Sequence, residues 1–173
     1  LSQINKENYL NYNFMNILGI VPARGGSKEV PNKNLLKIGG RTLIELAYDS
    51  AIKSKYISKL ILSSDSDRII KLGKKLGFEV PFKRPSKLAR DNSSTFDAIR
   101  HALKHLILNQ KWKADLVVIL QPTTPFRTTK EIDGTINLVL KNKVSSAMTI
   151  KSTDYPPHWS LGIKQNKELF NLI

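Results

Sequence analysis

The sequence contains no cysteine, so disulfide bonds and thiolate metal sites are excluded. Long apolar runs are also missing: the longest, Ile17–Val21 and Leu116–Leu120, have the length of strands and cannot cross a bilayer. The first residues, Leu1–Asn13, are rich in Asn, Tyr and Lys and lack the apolar centre of a signal peptide. We therefore expect a cytoplasmic protein without a membrane segment, in which residues 1–15 form a disordered leader.

Acidic residues are scarce: the chain has 14 Asp and Glu but 28 Lys and Arg, and its formal net charge is +14. A charge of this size favours anionic ligands. The cations are scattered along the chain, however, and no nucleic-acid-binding motif with interleaved aromatic residues is present. A basic surface with a pocket for phosphates is therefore favoured, and we expect no nucleic-acid partner.

Strand-length apolar runs alternate with segments of helical period along the 173 residues, a length that suits one domain. Strands are predicted at residues 17–21, 59–63, 78–80, 116–120 and 145–150, and a closing hairpin is predicted around Asn166. Helices are predicted after capping boxes at Thr42–Glu45 and Thr128–Glu131, over residues 64–76 with Gly77 as the C-terminal stop, and around Ile99–Leu106. The alternation predicts an α/β fold, a Rossmann-like three-layer sandwich with a mainly parallel sheet.

A Gly-rich stretch, Ala23-Arg24-Gly25-Gly26-Ser27-Lys28, follows the first predicted strand. Adjacent glycines let the backbone turn and direct N–H groups at one anion, and Arg24, Lys28 and Lys33 add three cations. The stretch matches neither the Walker pattern nor the dinucleotide GxGxxG pattern. A tight turn with a solvated basic face would explain the Gly-Gly pair alone. The cations and the following Asn34 instead favour a phosphate site.

Further motifs follow this stretch in order. The motifs, in chain order, are Ile20–Lys28, Lys33–Leu35, Leu62–Asp65, Phe82–Pro85, Leu88–Asp91 and Leu120–Arg127. Over residues 16–161 the chain thereby resembles the acylneuraminate cytidylyltransferases, the CMP-sialic acid synthetases, including variants for legionaminic or pseudaminic acid. The resemblance implies the nucleotide-diphospho-sugar transferase fold. It also implies transfer of CMP from CTP to the anomeric hydroxyl of a nonulosonic acid, an acidic nine-carbon sugar, with release of pyrophosphate.

The resemblance also implies roles for individual residues. Arg24 and Lys33 would be the catalytic cations on the phosphates, and Gln121 would reach the sugar. The residues implied to bind CTP are Ala23, Gly25, Gly26, Ser27, Lys28, Asn34, Arg84, Ser93, Ser94 and Thr95. Magnesium and a homodimer are implied as well, but no acidic motif in the chain identifies the magnesium ligands. We expect a nucleotide-binding domain over residues 16–154 and the start of a truncated dimerisation segment over residues 155–173.

Several polar side chains have two interpretations. The stretch Ser63–Asp67 could supply metal-binding carboxylates, but a helix N-cap is the simpler explanation. Asp91 is read as a turn former, and the pair His101 and His105 as partly exposed helix histidines rather than metal ligands. His158 and Trp159 could line the sugar pocket or pack under the final hairpin. Two other functions also stay open, namely a nucleotidyltransferase for another sugar and a non-catalytic basic domain that binds nucleotide or nucleic acid.

Overall fold

The computed structural model describes residues 15–26 and 30–152 in full, and residues 161–163 and 169–171 by their backbone. The predicted leader, apart from Met15, lies outside the described residues. The strands are β1 (Ile17–Pro22), β2 (Lys37–Ile38), β3 (Arg41–Thr42), β4 (Lys59–Ser63), β5 (Leu116–Ile119), β6 (Leu161–Ile163) and β7 (Leu169–Asn171). The α-helices are α1 (Leu43–Ile52), α2 (Asp67–Leu76), α3 (Thr95–Gln110) and α4 (Thr129–Asn142).

β1 is the central strand of a three-stranded parallel sheet with the order β4–β1–β5. On one edge, Leu18 is the register partner of Lys59 and Pro22 that of Ser63. On the other edge, Ile17 pairs with Leu116 and Ile20 with Ile119. Because all three strands run in the same direction, the loops that follow them meet at one edge of the sheet.

Alternate side chains of β1 pack into two separate layers, because successive residues of a strand point to opposite faces. Ile17 and Val21 belong to the larger core cluster. That cluster also contains buried residues of α1, α2 and α4, namely Ile44, Ala47, Ala51, Ile69, Ile132, Ile136 and Leu140. Leu18 and Ile20 instead pack with Ile99, Ala102 and Leu106 of α3. Helices therefore cover both faces of the sheet, which confirms the predicted α/β three-layer sandwich.

Both predicted capping boxes are present. At the start of α1, Glu45 N donates to Thr42 Oγ1 at 3.2 Å and the Glu45 carboxylate accepts from Thr42 N. The same reciprocal bonds join Thr128 and Glu131 at the start of α4. Gly77 ends α2 with φ of 102°, as expected for a left-handed C-terminal stop. Local sequence signals thus fix three helix ends.

Several predicted boundaries differ from the structure, and β1 extends one residue further than predicted, to Pro22. The helix predicted over residues 64–76 begins at Asp67, because the Ser64 hydroxyl accepts from Ser66 N and closes a turn first. The strand predicted over 78–80 is reduced to one parallel bridge, between Glu79 and Ile61. The strand predicted over 116–120 ends at Ile119. The start of the third helix, at Thr95, lies four residues before the first periodic apolar position.

The strand predicted over residues 145–150 is wrong, whereas the two antiparallel strands of the predicted closing hairpin are confirmed; its turn around Asn166 lies outside the described residues. Residues 145–150 are irregular and exposed, and Met148 and Ile150 are 79% and 88% exposed. No strand of the described residues pairs with this segment, and an extended segment without a ladder is not stable as a strand. β6 and β7 do form an antiparallel pair, with Gly162 opposite Phe170. In the part of the chain that the structure describes, no helix is long and apolar enough to cross a membrane.

Gly73 is a buried residue inside α2 that packs against the sheet. A Cβ added there would lie 2.2 Å from Cδ2 of Leu62, a β4 side chain with no solvent exposure. Alanine favours a helix by about 1 kcal/mol over glycine, but overpacking a core costs about 1–3 kcal/mol. We therefore predict that Gly73→Ala lowers the free energy of unfolding by about 1 kcal/mol, measured by urea denaturation.

Gly134 provides a matched control because it also lies inside a helix, α4, but a Cβ added there meets no atom within 4 Å. Gly134→Ala should raise the free energy of unfolding by about 0.5–1 kcal/mol. Equal effects of the two substitutions would contradict the tight packing of α2 on β4.

Candidate active site

A cleft of about 290 Å³ lies at the carboxyl edge of the sheet. Its walls come from three segments, which follow β1, precede α3 and follow β5. The lining residues are Pro22, Arg24, Gly26, Lys33, Asn34, Arg84, Leu88, Ala89, Arg90, Asp91, Ser93, Ser94, Thr95, Gln121, Pro122 and Thr123. Residues from separate predicted motifs are therefore brought together in one place.

The described part of the Gly-rich loop is held against the end of β4. Ala23 N donates to the Ser63 carbonyl at 2.9 Å, and Gly25 N donates to Asp65 Oδ1 at 2.9 Å. These two amides therefore bind protein acceptors, so fewer of the loop amides are directed at an anion than the sequence suggests. Gly26 faces the cleft, and a Cβ added there would meet no atom within 4 Å.

Arg24 extends from this loop to the segment before α3. Its Nη1 donates to the Arg90 carbonyl at 3.1 Å, and its Nη2 forms an ion pair with Asp91 Oδ1 at 3.0 Å. The Arg24 and Asp91 side chains are 34% and 44% exposed, so the pair lies at the solvent-accessible part of the cleft. Asp91 does lie in a turn, as predicted, but it also holds the guanidinium of Arg24.

Lys33 and Asn34 belong to a short 3-10 helix, Lys33–Leu35, whose preceding residue Asn32 has a left-handed backbone with φ of 54°. Asn34 is buried, and its Nδ2 donates to the Arg24 carbonyl at 2.9 Å. The side-chain amide of Asn34 therefore stabilises the backbone of the Gly-rich loop at Arg24. Both Lys33 and Asn34 line the cleft.

Arg84 forms a buried part of the cleft wall and is only 5% exposed. Its Nε donates to Ser63 Oγ at 3.0 Å and its Nη2 donates to the Ser63 carbonyl. Burial lowers the pKa of Arg84, the charge of Asp65 opposes that effect, and the charge of Arg24 adds to it. Arginine remains protonated in proteins, so Arg84 contributes a fixed, desolvated positive charge next to Arg24.

The remaining polar residues of the cleft stabilise its loops. Ser93 Oγ accepts from Arg90 N at 3.2 Å and donates to the Lys87 carbonyl at 2.9 Å. Ser94 caps α3, since its hydroxyl accepts from Phe96 N at 3.1 Å. Both serines and Thr95 line the cleft.

Gln121 begins the third wall of the cleft. Its backbone carbonyl accepts from Nη2 of Arg127 at 2.9 Å and from Thr124 N at 3.2 Å. Burial lowers the pKa of Arg127, while Glu131 opposes this shift. Arg127, which does not line the cleft, therefore stabilises the turn that contains Gln121.

Some predicted site residues lie elsewhere. Ala23 is fully buried in the core and is not among the lining residues. Ser27 and Lys28 lie outside the described residues, as do His158 and Trp159. Gly25 is also absent from the lining residues, and its amide binds Asp65. Six of the ten residues predicted to bind CTP line the cleft, and their contact with CTP stays a prediction.

The two helix histidines pack against one phenylalanine. The ring of Phe82 lies 4.7 Å from His101 and 4.9 Å from His105, measured between ring centroids. Burial, and then the charges of His105, Arg84 and Lys87, lower the pKa of His101. Neither histidine joins a group of three His, Asp or Glu side chains suited to a metal, and the described residues contain no such group. Their interpretation as helix residues is therefore favoured over metal binding.

Sequence reasoning missed two contacts of the site. The stretch Ser63–Asp67 contains the N-cap residue of α2, Ser66, whose side chain makes no capping bond, and Asp65 instead accepts the amide of Gly25. The prediction of a turn at Asp91 does not include its ion pair with Arg24. The signal for Asp65 was its place two residues beyond the predicted strand beside β1. The contact of Asp91 bridges 67 residues of sequence and has no local signal.

Comparison with known proteins shows where the chain belongs. The sequence profile of the family described as cytidylyltransferase matches residues 18–158. A pseudaminic acid cytidylyltransferase of Campylobacter jejuni is 28% identical over 156 residues, which cover 90% of this chain and 67% of that protein. A CMP-N,N'-diacetyllegionaminic acid synthase of Legionella pneumophila is 31% identical over 159 residues, which cover 90% and 66%. The chain therefore spans about two thirds of the length of these relatives.

The fold is similar to that of a solved CMP:2-keto-3-deoxy-manno-octonic acid synthetase in complex with CTP. The TM-score is 0.62 at 21% identity, over 74% of this chain and 48% of that one. The family profile includes all three segments that line the cleft. The chain belongs to the cytidylyltransferase family.

Proposed function

We propose that the protein transfers CMP from CTP to the anomeric hydroxyl of a nonulosonic acid and releases pyrophosphate. In this reaction the anomeric oxygen bonds to the α-phosphorus, the bond from that phosphorus to pyrophosphate breaks, and the hydroxyl proton passes to solvent. The relatives named for pseudaminic and legionaminic acid support an acidic nine-carbon sugar as the acceptor. Transfer of CMP to a different sugar is the alternative within the same fold.

The observation that carries this proposal is the convergence of three separate segments on one cleft. Arg24 and Lys33 come from the segment after β1, Arg84 from the segment before α3, and Gln121 from the segment after β5. Arg24 and Lys33 are two of the cations that line this concave site, and they suit the phosphates of CTP because phosphate oxygens carry the charge that such side chains bind.

Arg24 and Lys33 are the proposed catalytic cations. Phosphoryl and nucleotidyl transfer demand little covalent chemistry from a protein, so positioning and charge neutralisation supply most of the catalysis. The guanidinium of Arg24 can bind two phosphate oxygens at once, and the ammonium of Lys33 can follow the charge that develops on pyrophosphate. Arg24 would exchange its bond to Asp91 for bonds to the nucleotide.

The remaining roles are proposed by similarity. Ala23, Gly25, Gly26, Ser27, Lys28 and Asn34 form or support the loop beneath the phosphates, and Arg84, Ser93, Ser94 and Thr95 face the cytosine and ribose. Gln121 is the proposed contact to the sugar.

Magnesium is proposed as the cofactor through the family, but the described residues do not fit it well. The two carboxylates nearest to the Gly-rich loop are both engaged, Asp65 by Gly25 N and Asp91 by Arg24. No group of three His, Asp or Glu side chains in the described residues could hold a metal ion. We therefore assign no catalytic step to a metal.

The other family properties are proposals of the same kind. Residues 16–154 would form the nucleotide-binding domain, and residues 155–173, which include the β6–β7 pair, would begin a segment for homodimerisation. The protein would act in the cytoplasm, with CTP and the acidic sugar as its ligands and without nucleic-acid or membrane partners.

Removal of either proposed catalytic cation should abolish most of the activity. Arg24→Ala and Lys33→Ala should each lower kcat/KM by about 100-fold or more, because each removes a donor that binds charge in the transition state. The measurement is CTP- and sugar-dependent release of pyrophosphate by the intact protein, with magnesium present. Arg24→Lys should retain part of the activity, since it keeps the charge but loses the two-oxygen contact.

Arg68→Ala and Lys71→Ala are matched controls, because both side chains are exposed on α2 and neither lines the cleft. Both control variants should retain full activity. If they lose as much activity as Arg24→Ala, the general positive field rather than the cleft is responsible.

Ligand selectivity separates the proposed enzyme from a basic binding module. CTP well above its Kd should raise Tm by about 5 °C, and ATP, GTP and UTP should raise it less. Pyrophosphate release should then require a nonulosonic acid. Equal shifts with all four nucleotides, together with binding of nucleic acid that weakens steeply with salt, would instead support the binding module.

A further inference from the structure

Asp65 lies behind the cleft rather than in it, and it continues the hydrogen-bonded ladder between β1 and β4. The last backbone bond of that ladder runs from Ala23 N to the Ser63 carbonyl. Bonds in a parallel ladder recur every two residues, so the next would join Gly25 N to the carbonyl of Asp65. The acceptor is instead Oδ1 of the Asp65 side chain, at 2.9 Å.

A side-chain acceptor at this position changes the bond in two ways. The carboxylate gives the amide of Gly25 a charge-assisted hydrogen bond, which is stronger than one to a neutral carbonyl. The Asp65 side chain also reaches further than a backbone carbonyl would. The chain that follows β1 can therefore diverge from β4 at Gly25 and enter the cleft. Asp65 thus holds the loop at the point where the regular sheet ends.

The neighbouring Ser66 restricts the same point sterically. A Cβ added at Gly25 would lie 2.8 Å from the Ser66 Cβ, closer than such carbons approach in proteins. Gly25 is therefore fixed by an acceptor on one residue and by close packing against the next. Arg84 stabilises this segment further, since its backbone N donates to the Ser64 carbonyl at 2.7 Å.

We propose that Asp65 is a positioning residue, which sets the direction of the Arg24 side chain through the amide of Gly25. Arg24 lies between Ala23 and Gly25, and both of these residues are bound to the end of β4. Its Cα therefore has little freedom, and its guanidinium is directed toward Arg90 and Asp91 in the cleft. The part of this inference that concerns CTP rests on the proposed function.

The test compares Asp65→Ala and Asp65→Asn with Asp67→Ala. Asp67 is a matched control, because its carboxylate is two residues away, 81% exposed, and paired with Lys83 at 2.7 Å. The first readout needs no ligand: NMR hydrogen exchange of the Gly25 amide should accelerate about 10-fold or more in Asp65→Ala. Asp65→Asn should change it less, because the amide oxygen can still accept, and Asp67→Ala should leave it unchanged.

The second readout is catalytic. Asp65→Ala should lower kcat by about 10-fold or more with a smaller change in the KM for the sugar, and Asp65→Asn should recover most of that loss. Melting temperatures of all variants show whether an unfolded fraction contributes. Unchanged Gly25 exchange in Asp65→Ala, or faster exchange with unchanged kcat, overturns the positioning role.

Two further outcomes have distinct meanings. If Asp65→Asn is as inactive as Asp65→Ala and both raise the magnesium requirement, Asp65 is a metal ligand and the proposal is wrong. If the wild-type protein binds no CTP, the proposed function fails. The exchange measurement then still decides whether Asp65 holds the loop.

Discussion

β1 forms parallel hydrogen-bonded ladders with β4 on one edge and with β5 on the other, while its two faces pack against separate helix layers. A strand enclosed in this way has no freedom to shift its register, since a shift of one residue would exchange its two buried faces. The loops after all three strands therefore begin at fixed positions along one edge of the sheet. The fixed register of β1 therefore determines the shape of the cleft, because two of its three walls start at the ends of β1 and β5.

The wall before α3 is attached to that edge by a different interaction. Arg84 belongs to a loop, but its guanidinium is buried against the hydroxyl and carbonyl of Ser63 at the last residue of β4. Hydrogen bonds to a charged group are worth more than neutral ones, and a buried arginine without them would be costly. The same bonds that stabilise Arg84 therefore fix the wall before α3 to the carboxyl edge of the sheet, at the end of β4. The contact between Arg84 and Ser63 thus both stabilises the fold and sets the position of Arg84 in the cleft.

The sequence predicted the layers, the sheet direction and two helix starts, because those features follow from local patterns such as the Thr42–Glu45 and Thr128–Glu131 boxes. It also predicted that separate motifs meet, since parallel strands carry their following loops to one edge. It could not predict the bond from Gly25 to Asp65, which depends on the register of two strands. The strand expected at 145–150 failed for a related reason: its apolar pattern is compatible with a strand, but strand formation needs a neighbour.

Part of the net charge of +14 is located at the cleft, where several arginine and lysine side chains lie together. Burial lowers the pKa of Arg84, the charge of Asp65 opposes that shift and the charge of Arg24 adds to it, and both arginines line the cleft. Two carboxylates offset this positive charge: Asp65 accepts from Gly25 N and is not among the lining residues, whereas Asp91 lines the cleft and forms an ion pair with Arg24. Four of the cations, Arg24, Lys33, Arg84 and Arg90, line one concave site, whereas a nucleic-acid strand is bound along an extended groove. A compact polyphosphate matches that arrangement better, which explains why a strongly basic chain is compatible with a small-molecule substrate.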